Sequence, residues 1–134
     1  MKIAVYPGSF DPWHEGHEDI LVKALAVFDQ VIVAQGVNPD KKITEVNLPV
    51  SLLSKYPGRV RRAKYTTLLV DFVKSMKADA VIRGLRNIKD FEEEKVQQYW
   101  NESLGLTVPT VYFICDKSLV HISSSAIKTV EKFK

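Results

Sequence analysis

Cysteine is nearly absent from this chain, and so is any long apolar run. One cysteine, Cys115, in 134 residues excludes an internal disulfide framework and favours a reducing compartment, so we expect a cytoplasmic protein. No apolar run approaches the length of a membrane span, and the N-terminus leads straight into strand-like sequence without a signal peptide. Because internal repeats and low-complexity segments are missing too, residues 1–134 are predicted to form a single domain.

Charge of one sign is also scarce. The 46% hydrophobic and 26% charged content is ordinary for one globular domain, and the formal net charge is only +3. The densest basic run, residues 59–64, contains no aromatic residue for base stacking, so we interpret it as a solvated edge strand. We therefore expect neither nucleic acid nor a membrane as a partner. The excess cations would suit a site that holds phosphates.

Residues 6–20 are the most informative stretch. An apolar run precedes them and helical apolar spacing follows, which predicts a strand-to-helix turn. His14 and His17 are three residues apart, on one face of the first helical turn if the helix begins near Trp13. Free N–H groups and the helix dipole make such a turn a phosphate site. An imidazole N–H held there can stabilise the charge that builds up during phosphoryl or nucleotidyl transfer.

Two other interpretations of this histidine pair stay open. The pair could ligate zinc, but its spacing is one residue short of the metalloprotease motif, and only Cys115 and His121 remain as soft ligands. The histidines could also be two solvated side chains at a helix start. The preceding Gly-Ser-Phe-Asp-Pro makes that interpretation less favourable than a phosphate site.

The rest of the chain alternates between strand-like and helix-like segments. Four further strands are predicted, at residues 31–34, 60–65, 80–82 and 108–114. Together with the first strand they indicate an α/β fold, a Rossmann-like doubly wound domain with a five-stranded parallel sheet. The structure of residues 43–58 is left open, except that any helix within residues 50–55 would be short.

Cationic and polar side chains are predicted at the carboxyl edge of this sheet, where ligands gather in such folds. Lys41 follows the second strand, and Arg83 and Arg86 follow a buried strand, where guanidinium groups suit bidentate contact with phosphate oxygens. Glu94, in the next helix, is expected to face the ligand. The serines at 123–125 start a final helix and offer hydroxyls and amides to a triphosphate.

Six motifs carry a resemblance to a known family. Gly-Ser-Phe-Asp-Pro followed by His-x-Gly-His is similar to the signature of the nucleotidyltransferase superfamily. With Asn-Pro-Asp-Lys-Lys, Leu-Leu-Val-Asp-Phe, Ile-Arg-Gly-Leu-Arg, Asp-Phe-Glu and Ile-Ser-Ser-Ser, the chain resembles the bacterial phosphopantetheine adenylyltransferases over nearly its whole length. The resemblance implies transfer of AMP from ATP to 4'-phosphopantetheine, giving dephospho-coenzyme A and pyrophosphate in coenzyme A biosynthesis. It also implies Mg²⁺, held by the ATP phosphates and not by protein side chains.

The resemblance implies roles for individual residues as well. His17 would stabilise the transition state at the α-phosphate, with Lys41 and Arg86 as further catalytic groups. Lys41 and Arg83 would hold the acceptor phosphate, and Leu69 would line the pantetheine arm. Ser9 would bind substrate as well, by touching the phosphates. The residues implied in ATP binding are Ser9, Phe10, His14, His17, Gly84, Leu85, Arg86, Glu94, Leu119, Val120, His121, Ile122, Ser123, Ser124 and Ser125. Since a phosphate monoester attacks in line, four cationic groups, His17, Lys41, Arg83 and Arg86, would neutralise the developing charge.

The chain departs from the family pattern at several positions. His14 replaces a usual threonine, Glu93 a usual tyrosine and Leu119 a usual aromatic residue, and Lys134 comes before the family's final helix. We expect weaker adenine packing and altered assembly, whereas the resemblance implies a homo-hexamer with dephospho-coenzyme A or coenzyme A as product or inhibitor. Two alternative functions stay open. One is a transferase for another acceptor, such as nicotinamide mononucleotide or glycerol 3-phosphate, and the other is an inactive nucleotide- or coenzyme A-binding paralogue.

Overall fold

A five-stranded parallel sheet forms the centre of the computed structural model, which describes residues 1–37, 48–116, 118 and 127. The strands are β1 (Ile3–Gly8), β2 (Gln30–Gly36), β3 (Val60–Tyr65), β4 (Ala80–Leu85) and β5 (Thr110–Ile114). They lie in the order β3-β2-β1-β4-β5, and each neighbouring pair is parallel. The helices are α1 (Glu15–Leu25), α2 (Val50–Lys55), α3 (Leu69–Ser75) and α4 (Ile88–Ser103). The predicted α/β Rossmann-like fold is confirmed.

Each face of the sheet has its own apolar core, which is the signature of a doubly wound fold. Val31 and Val33 of β2 pack with Leu21 and Leu25 of α1 on one face. The intervening Ile32 packs with α3 on the other face. Because side chains alternate along a strand, a run of buried valine and isoleucine serves both cores at once.

The basic run near residue 60 occupies an edge of the sheet, as predicted. β3 is the outermost strand beside β2, and Arg61, Arg62 and Lys64 are exposed along it or partly so. Arg59 differs from them, because its guanidinium donates to the carbonyls of Leu25 and Phe28, at the carboxyl end of α1. Charge along an edge strand discourages pairing with another sheet, so this run needs no ligand to explain it.

The chain reverses its direction of winding between β1 and β4, and this places the site. α1 follows β1 and α4 follows β4, so two helix starts meet beyond the carboxyl ends of adjacent strands. Such a switch point opens a crevice in which ligands bind. Among the described residues no helix has both the length and the apolar character needed to cross a bilayer.

Candidate active site

A cavity of about 380 Å³ lies in this crevice. It brings together predicted site residues from three separate parts of the chain. They are Ser9 and Phe10 after β1, His14 and His17 on α1, and Arg83, Gly84, Arg86 and Glu94 from β4 and α4. Leu85 ends β4 and is half-buried, but it does not line this cavity. The sheet edge therefore assembles the histidine and arginine motifs around one space.

The two histidines are fixed by the start of α1. His14 is the N-cap residue, and its Nδ1 accepts a hydrogen bond from the backbone N–H of Gly16 at 3.1 Å. Nδ1 of His17 accepts from the backbone N–H of His14 at 3.2 Å. The two rings stack with centroids 3.7 Å apart. A side chain at position 16 would reach within 2.9 Å of the His14 ring, so glycine is needed there.

These bonds determine which nitrogen of each imidazole carries the proton. Because Nδ1 is an acceptor in both rings, a neutral imidazole must hold its hydrogen on Nε2. Burial, then the neighbouring His14 and Arg86, lower the pKa of His17 from 6.5 to about 3. Burial and Arg86 also lower the pKa of His14. The prediction that His17 is a cationic group is therefore wrong, and it is a neutral N–H donor at physiological pH.

Two aromatic rings, those of Phe10 and Trp13, pack against the His17 ring. The Phe10 ring meets it edge-on with centroids 4.9 Å apart, and Trp13 lies 5.2 Å away. Phe10 is only 4% exposed and packs against Tyr6 as well. Phe10 was predicted to touch the nucleotide; it lines the cavity, and its ring also packs against His17 and Tyr6.

Arg83 is already paired with a carboxylate of the same site. Its Nε and Nη2 bind the two carboxylate oxygens of Glu94 at 2.9 and 2.6 Å, and Nη1 donates to the carbonyl of Pro7. Burial opposes the charge on Arg83, but the Glu94 carboxylate outweighs it and raises the arginine pKa. Glu94 therefore orients the guanidinium, and a phosphate would have to share it.

Arg86 is also paired with a carboxylate, that of Asp90 in the first turn of α4. The guanidinium Nε and backbone N–H of Arg86 both donate to Oδ2 of Asp90, at 2.9 and 3.0 Å. Asp90 in turn donates its backbone N–H to Asn87, the N-cap of α4. Sequence reasoning did not assign Asp90 a site role. The Arg86–Asp90 spacing of four residues, with Asn87 three before Asp90, was the signal available.

Gly84 contributes through close packing of two elements. A side chain at position 84 would come within 2.8 Å of Ile20 on α1, so glycine lets the helix approach β4.

Cys115, after β5, also lines the cavity; sequence reasoning considered it only as a zinc ligand. In the described part of the chain, no group of three or more histidine, cysteine, aspartate or glutamate residues could hold a metal ion.

A second, smaller cavity of about 190 Å³ lies on the other side of Arg83. Leu69, which was predicted to line the acceptor arm, borders it together with Tyr65 and Tyr112. Arg83 and Glu94 line both cavities, so this ion pair stands between them.

Part of the predicted site lies outside the described residues. This applies to Lys41 and to the proposed ATP segment, Leu119, Val120, His121, Ile122, Ser123, Ser124 and Ser125. Their roles stay predictions. The structure tests whether His17 and Arg86 share a cavity, and they do.

Comparisons with known proteins find relatives over nearly the whole chain. The family described as cytidylyltransferase-like matches residues 5–130. Phosphopantetheine adenylyltransferase of Clostridium novyi (strain NT) is 41% identical, over 99% of this chain and 85% of that protein. The protein of the same name from Clostridium perfringens (strain SM101 / Type A) is 44% identical, over 99% of this chain and 84% of its own length.

A solved structure supports the fold alone. The pantoate-β-alanine ligase from Francisella tularensis, determined with β-γ ATP and β-alanine, superimposes with a TM-score of 0.58 at 14% identity. The match covers 98% of this chain and 69% of that one. At this identity the likeness concerns the arrangement of strands and helices and does not extend to the substrates.

Proposed function

This chain belongs to the phosphopantetheine adenylyltransferase family, and we propose that it transfers AMP from ATP to 4'-phosphopantetheine, releasing pyrophosphate and dephospho-coenzyme A. The observation that carries the proposal is the shared cavity, which is lined by His17 of α1, by Arg83 of β4 and by Arg86 directly after β4. An uncharged N–H donor and two guanidinium groups around one space suit a reaction between two phosphates.

In the proposed reaction the acceptor phosphate attacks the α-phosphorus of ATP in line, and pyrophosphate leaves. No protein nucleophile is required, so the residues bind, orient and stabilise. Nε2–H of His17 donates to an α-phosphate oxygen as negative charge grows there, because its Nδ1 is already held by the backbone of His14. Arg86 lies across the cavity and would bind phosphate oxygens of ATP, sharing its guanidinium with Asp90.

The acceptor would approach from the smaller cavity. Leu69 and Tyr65 give that cavity an apolar wall for a pantetheine arm, and Arg83 stands at its junction with the larger one. Arg83 would hold the acceptor phosphate beside the ATP α-phosphate, with Glu94 keeping the guanidinium in orientation. Lys41 and the serines at 123–125 are proposed to complete the binding of the two phosphate groups.

Mg²⁺ is proposed to enter with ATP. Of the three carboxylates that line the cavity, Asp90 and Glu94 are each bound by an arginine, which leaves Glu93, so the phosphate oxygens are the more numerous donors for the ion. When bound, the ion would neutralise part of the triphosphate charge. Calorimetric titrations of the protein with ATP at several Mg²⁺ concentrations test this. The amount of ATP bound should follow the concentration of MgATP, and Mg²⁺ alone should show no binding equilibrium with the protein.

The decisive experiment is a turnover assay with ATP, Mg²⁺ and 4'-phosphopantetheine, with product mass measured. Formation of dephospho-coenzyme A is expected. Parallel reactions with nicotinamide mononucleotide, and with glycerol 3-phosphate and CTP, test other acceptors, and faster turnover with either would contradict the proposal. ATP binding without any turnover would instead indicate an inactive paralogue. Inhibition by added coenzyme A or dephospho-coenzyme A tests the proposed product site.

We also propose that the chain acts as a homo-oligomer in the cytoplasm. α4 has no buried residue among its 16 described positions, and Tyr99 and Trp100 are about 60% exposed. Exposed aromatic residues on one helix suit a contact with a second copy. Light scattering should give a mass above that of one chain, and Trp100→Glu should lower it. A monomer at micromolar concentration would contradict this proposal.

A further inference from the structure

The end of β5 is held by two side chains of α1. Cys115 donates its backbone N–H to the carbonyl of Leu85, so it faces the neighbouring strand β4. Because backbone groups alternate in direction along a strand, the carbonyl of Ile114 and the N–H of Asp116 point outward from the sheet. β5 is the outer strand at this edge, and no further strand among the described residues could bind them.

Asp19 and Lys23 bind both groups. Oδ2 of Asp19 accepts from the Asp116 N–H at 3.0 Å, and Nζ of Lys23 donates to the Ile114 carbonyl at 2.6 Å. Lys23 also pairs with the carboxylates of Asp19 and Asp116, at 2.9 and 3.0 Å. The Asp19 side chain is only 13% exposed. These bonds take the place of a neighbouring strand.

The clamp formed by Asp19 and Lys23 lies directly behind the cavity. Asp19 is two residues after His17 on the same helix. Burial, then the negative charge of the nearby Asp19 carboxylate, raises the pKa of the Cys115 thiol, and Cys115 lines the cavity wall. On the β4 side, α1 is seated by the close packing of Ile20 on Gly84. On the β5 side the polar bonds of the clamp hold the helix in its place.

We propose that Asp19 is a positioning residue for the transfer reaction, because its carboxylate ties the end of β5 to the helix that carries His17. The inference rests on the proposed function. It adds that the separation between His17 and the part of the cavity wall lined by Cys115 is set by a side chain that touches neither substrate. A shift of about 1 Å in such a wall is enough to lower turnover about a hundredfold.

The test compares Asp19→Ala, Asp19→Asn and the wild-type chain. We expect Asp19→Ala to lower kcat by about tenfold to a hundredfold, with less than about a threefold change in ATP affinity. Asp19→Asn still offers an oxygen to the Asp116 N–H and should stay within about threefold of wild type. Hydrogen exchange at the Asp116 amide, measured by NMR, reports the bond directly. Exchange should quicken in Asp19→Ala and change little in Asp19→Asn.

Asp79→Ala is the matched control. Asp79 also accepts a backbone N–H, that of Ile3 at 2.8 Å, but at the opposite ends of the strands. Its loss should quicken exchange at Ile3 and leave kcat unchanged. Should Asp19→Ala fail to fold, Lys23→Met replaces it, and a drop in kcat of about threefold to tenfold is expected because the Ile114 carbonyl loses its donor.

Two results would overturn the inference alone. One is wild-type kcat in Asp19→Ala or Lys23→Met together with rapid exchange at Asp116, and the other is an Asp19→Asn variant as impaired as Asp19→Ala. An inactive wild-type chain would be a different outcome. It would overturn the proposed function, and this inference with it.

Discussion

The two walls of the cavity present phosphate-binding groups in opposite electrical states. On the α1 wall, His14 and His17 are neutral, and backbone N–H groups fix their orientation. On the β4 wall, Arg83 and Arg86 are charged, and carboxylates of α4 fix theirs. The α1 wall therefore offers uncharged hydrogen-bond donors, and the β4 wall offers positive charges that carboxylates already partly compensate.

The difference follows from what each wall must do before substrate arrives. Two stacked imidazoles could not both be protonated at a ring separation of 3.7 Å without strong repulsion, so burial and proximity keep His17 uncharged. The two guanidinium groups stay protonated, and an adjacent carboxylate compensates the charge of each and holds it in place. The neutral α1 wall can stabilise the negative charge that develops on a phosphate during the reaction. The charged β4 wall can bind the phosphate charge that a substrate already carries.

Removing the neutral donor should have the largest effect. His17→Ala deletes the Nε2–H and the ring that stacks on His14, and we expect kcat to fall by about two to four powers of ten. Steady-state kinetics on the purified variant measures this. His17→Gln is the control for lost volume, because its amide can donate in place of the imidazole and should recover part of the rate. Near wild-type turnover in His17→Ala would contradict the role of the α1 wall.

Breaking the partly buried ion pair of Arg83 and Glu94 should have the next largest effect, and the effect should appear in the free energy of unfolding. Arg83→Met leaves the Glu94 carboxylate, whose side chain is 16% exposed, without its partner. We expect the free energy of unfolding to fall by about 3 kcal/mol. The double variant Arg83→Met/Glu94→Leu should recover most of the loss, since it removes the unpaired charge. Urea unfolding measures both, and equal stabilities of the single and double variants would contradict the pairing.

The fold was more predictable from sequence than the electrical state of the site. Buried runs such as residues 80–82 predict their strands because apolar periodicity is a local property, and the strand order then brings His17 and Arg86 to one edge. The charge of His17 could not be read in the same way. It depends on the Phe10 ring, on His14 stacked above it and on how deeply the turn is buried, all of which are tertiary.

The same limit explains Arg83 and Asp90. Sequence predicted that arginines would line the site but gave Arg83 to phosphate alone, because nothing local places Glu94, eleven residues later, against its guanidinium. Asp90 is a favourable negative charge in the first turn of α4, which the helix dipole explains without reference to the site. It is in addition the carboxylate that holds Arg86, a role that the spacing of four residues permits but does not require.

The neutral state of His17 should also appear in the pH dependence of the free energy of unfolding, as an effect of intermediate size. The pKa of His17 is lowered from 6.5 to about 3, so between these values the unfolded chain binds a proton that the folded chain does not. Stability is therefore complete above pH 6.5 and falls as the pH drops below it, by at most about 1.4 kcal/mol per pH unit from this residue. His14 and Arg86 face His17 and act in the same direction.

Urea unfolding of the wild type and His17→Asn at about pH 7 and about pH 5 measures this contribution. The wild type should lose more stability than the variant on acidification, because asparagine does not titrate. Nitrogen-15 NMR of the His17 ring should meanwhile show protonated Nε2 and unprotonated Nδ1 throughout that range. Equal losses in the two proteins, or a ring that titrates at the ordinary histidine pKa, would remove the distinction between the walls.

Removing the carboxylate that pairs with Arg86 on the β4 wall should have the smallest effect, and it should be a gain in ATP affinity where the other changes are losses. Asp90→Asn removes the carboxylate that competes with phosphate for Arg86, so ATP should bind about twofold to fivefold more tightly at low salt. The gain should shrink in about 0.5 M salt, because screening weakens the added attraction. Asp71→Asn, an exposed carboxylate in the first turn of α3, is the matched control and should leave ATP affinity unchanged. Calorimetric titrations at two salt concentrations compare the variants. Weaker ATP binding in Asp90→Asn would mean that the carboxylate holds Arg86 in its binding geometry more than it competes for it, and the arginine wall would then work by orientation, as the histidine wall does.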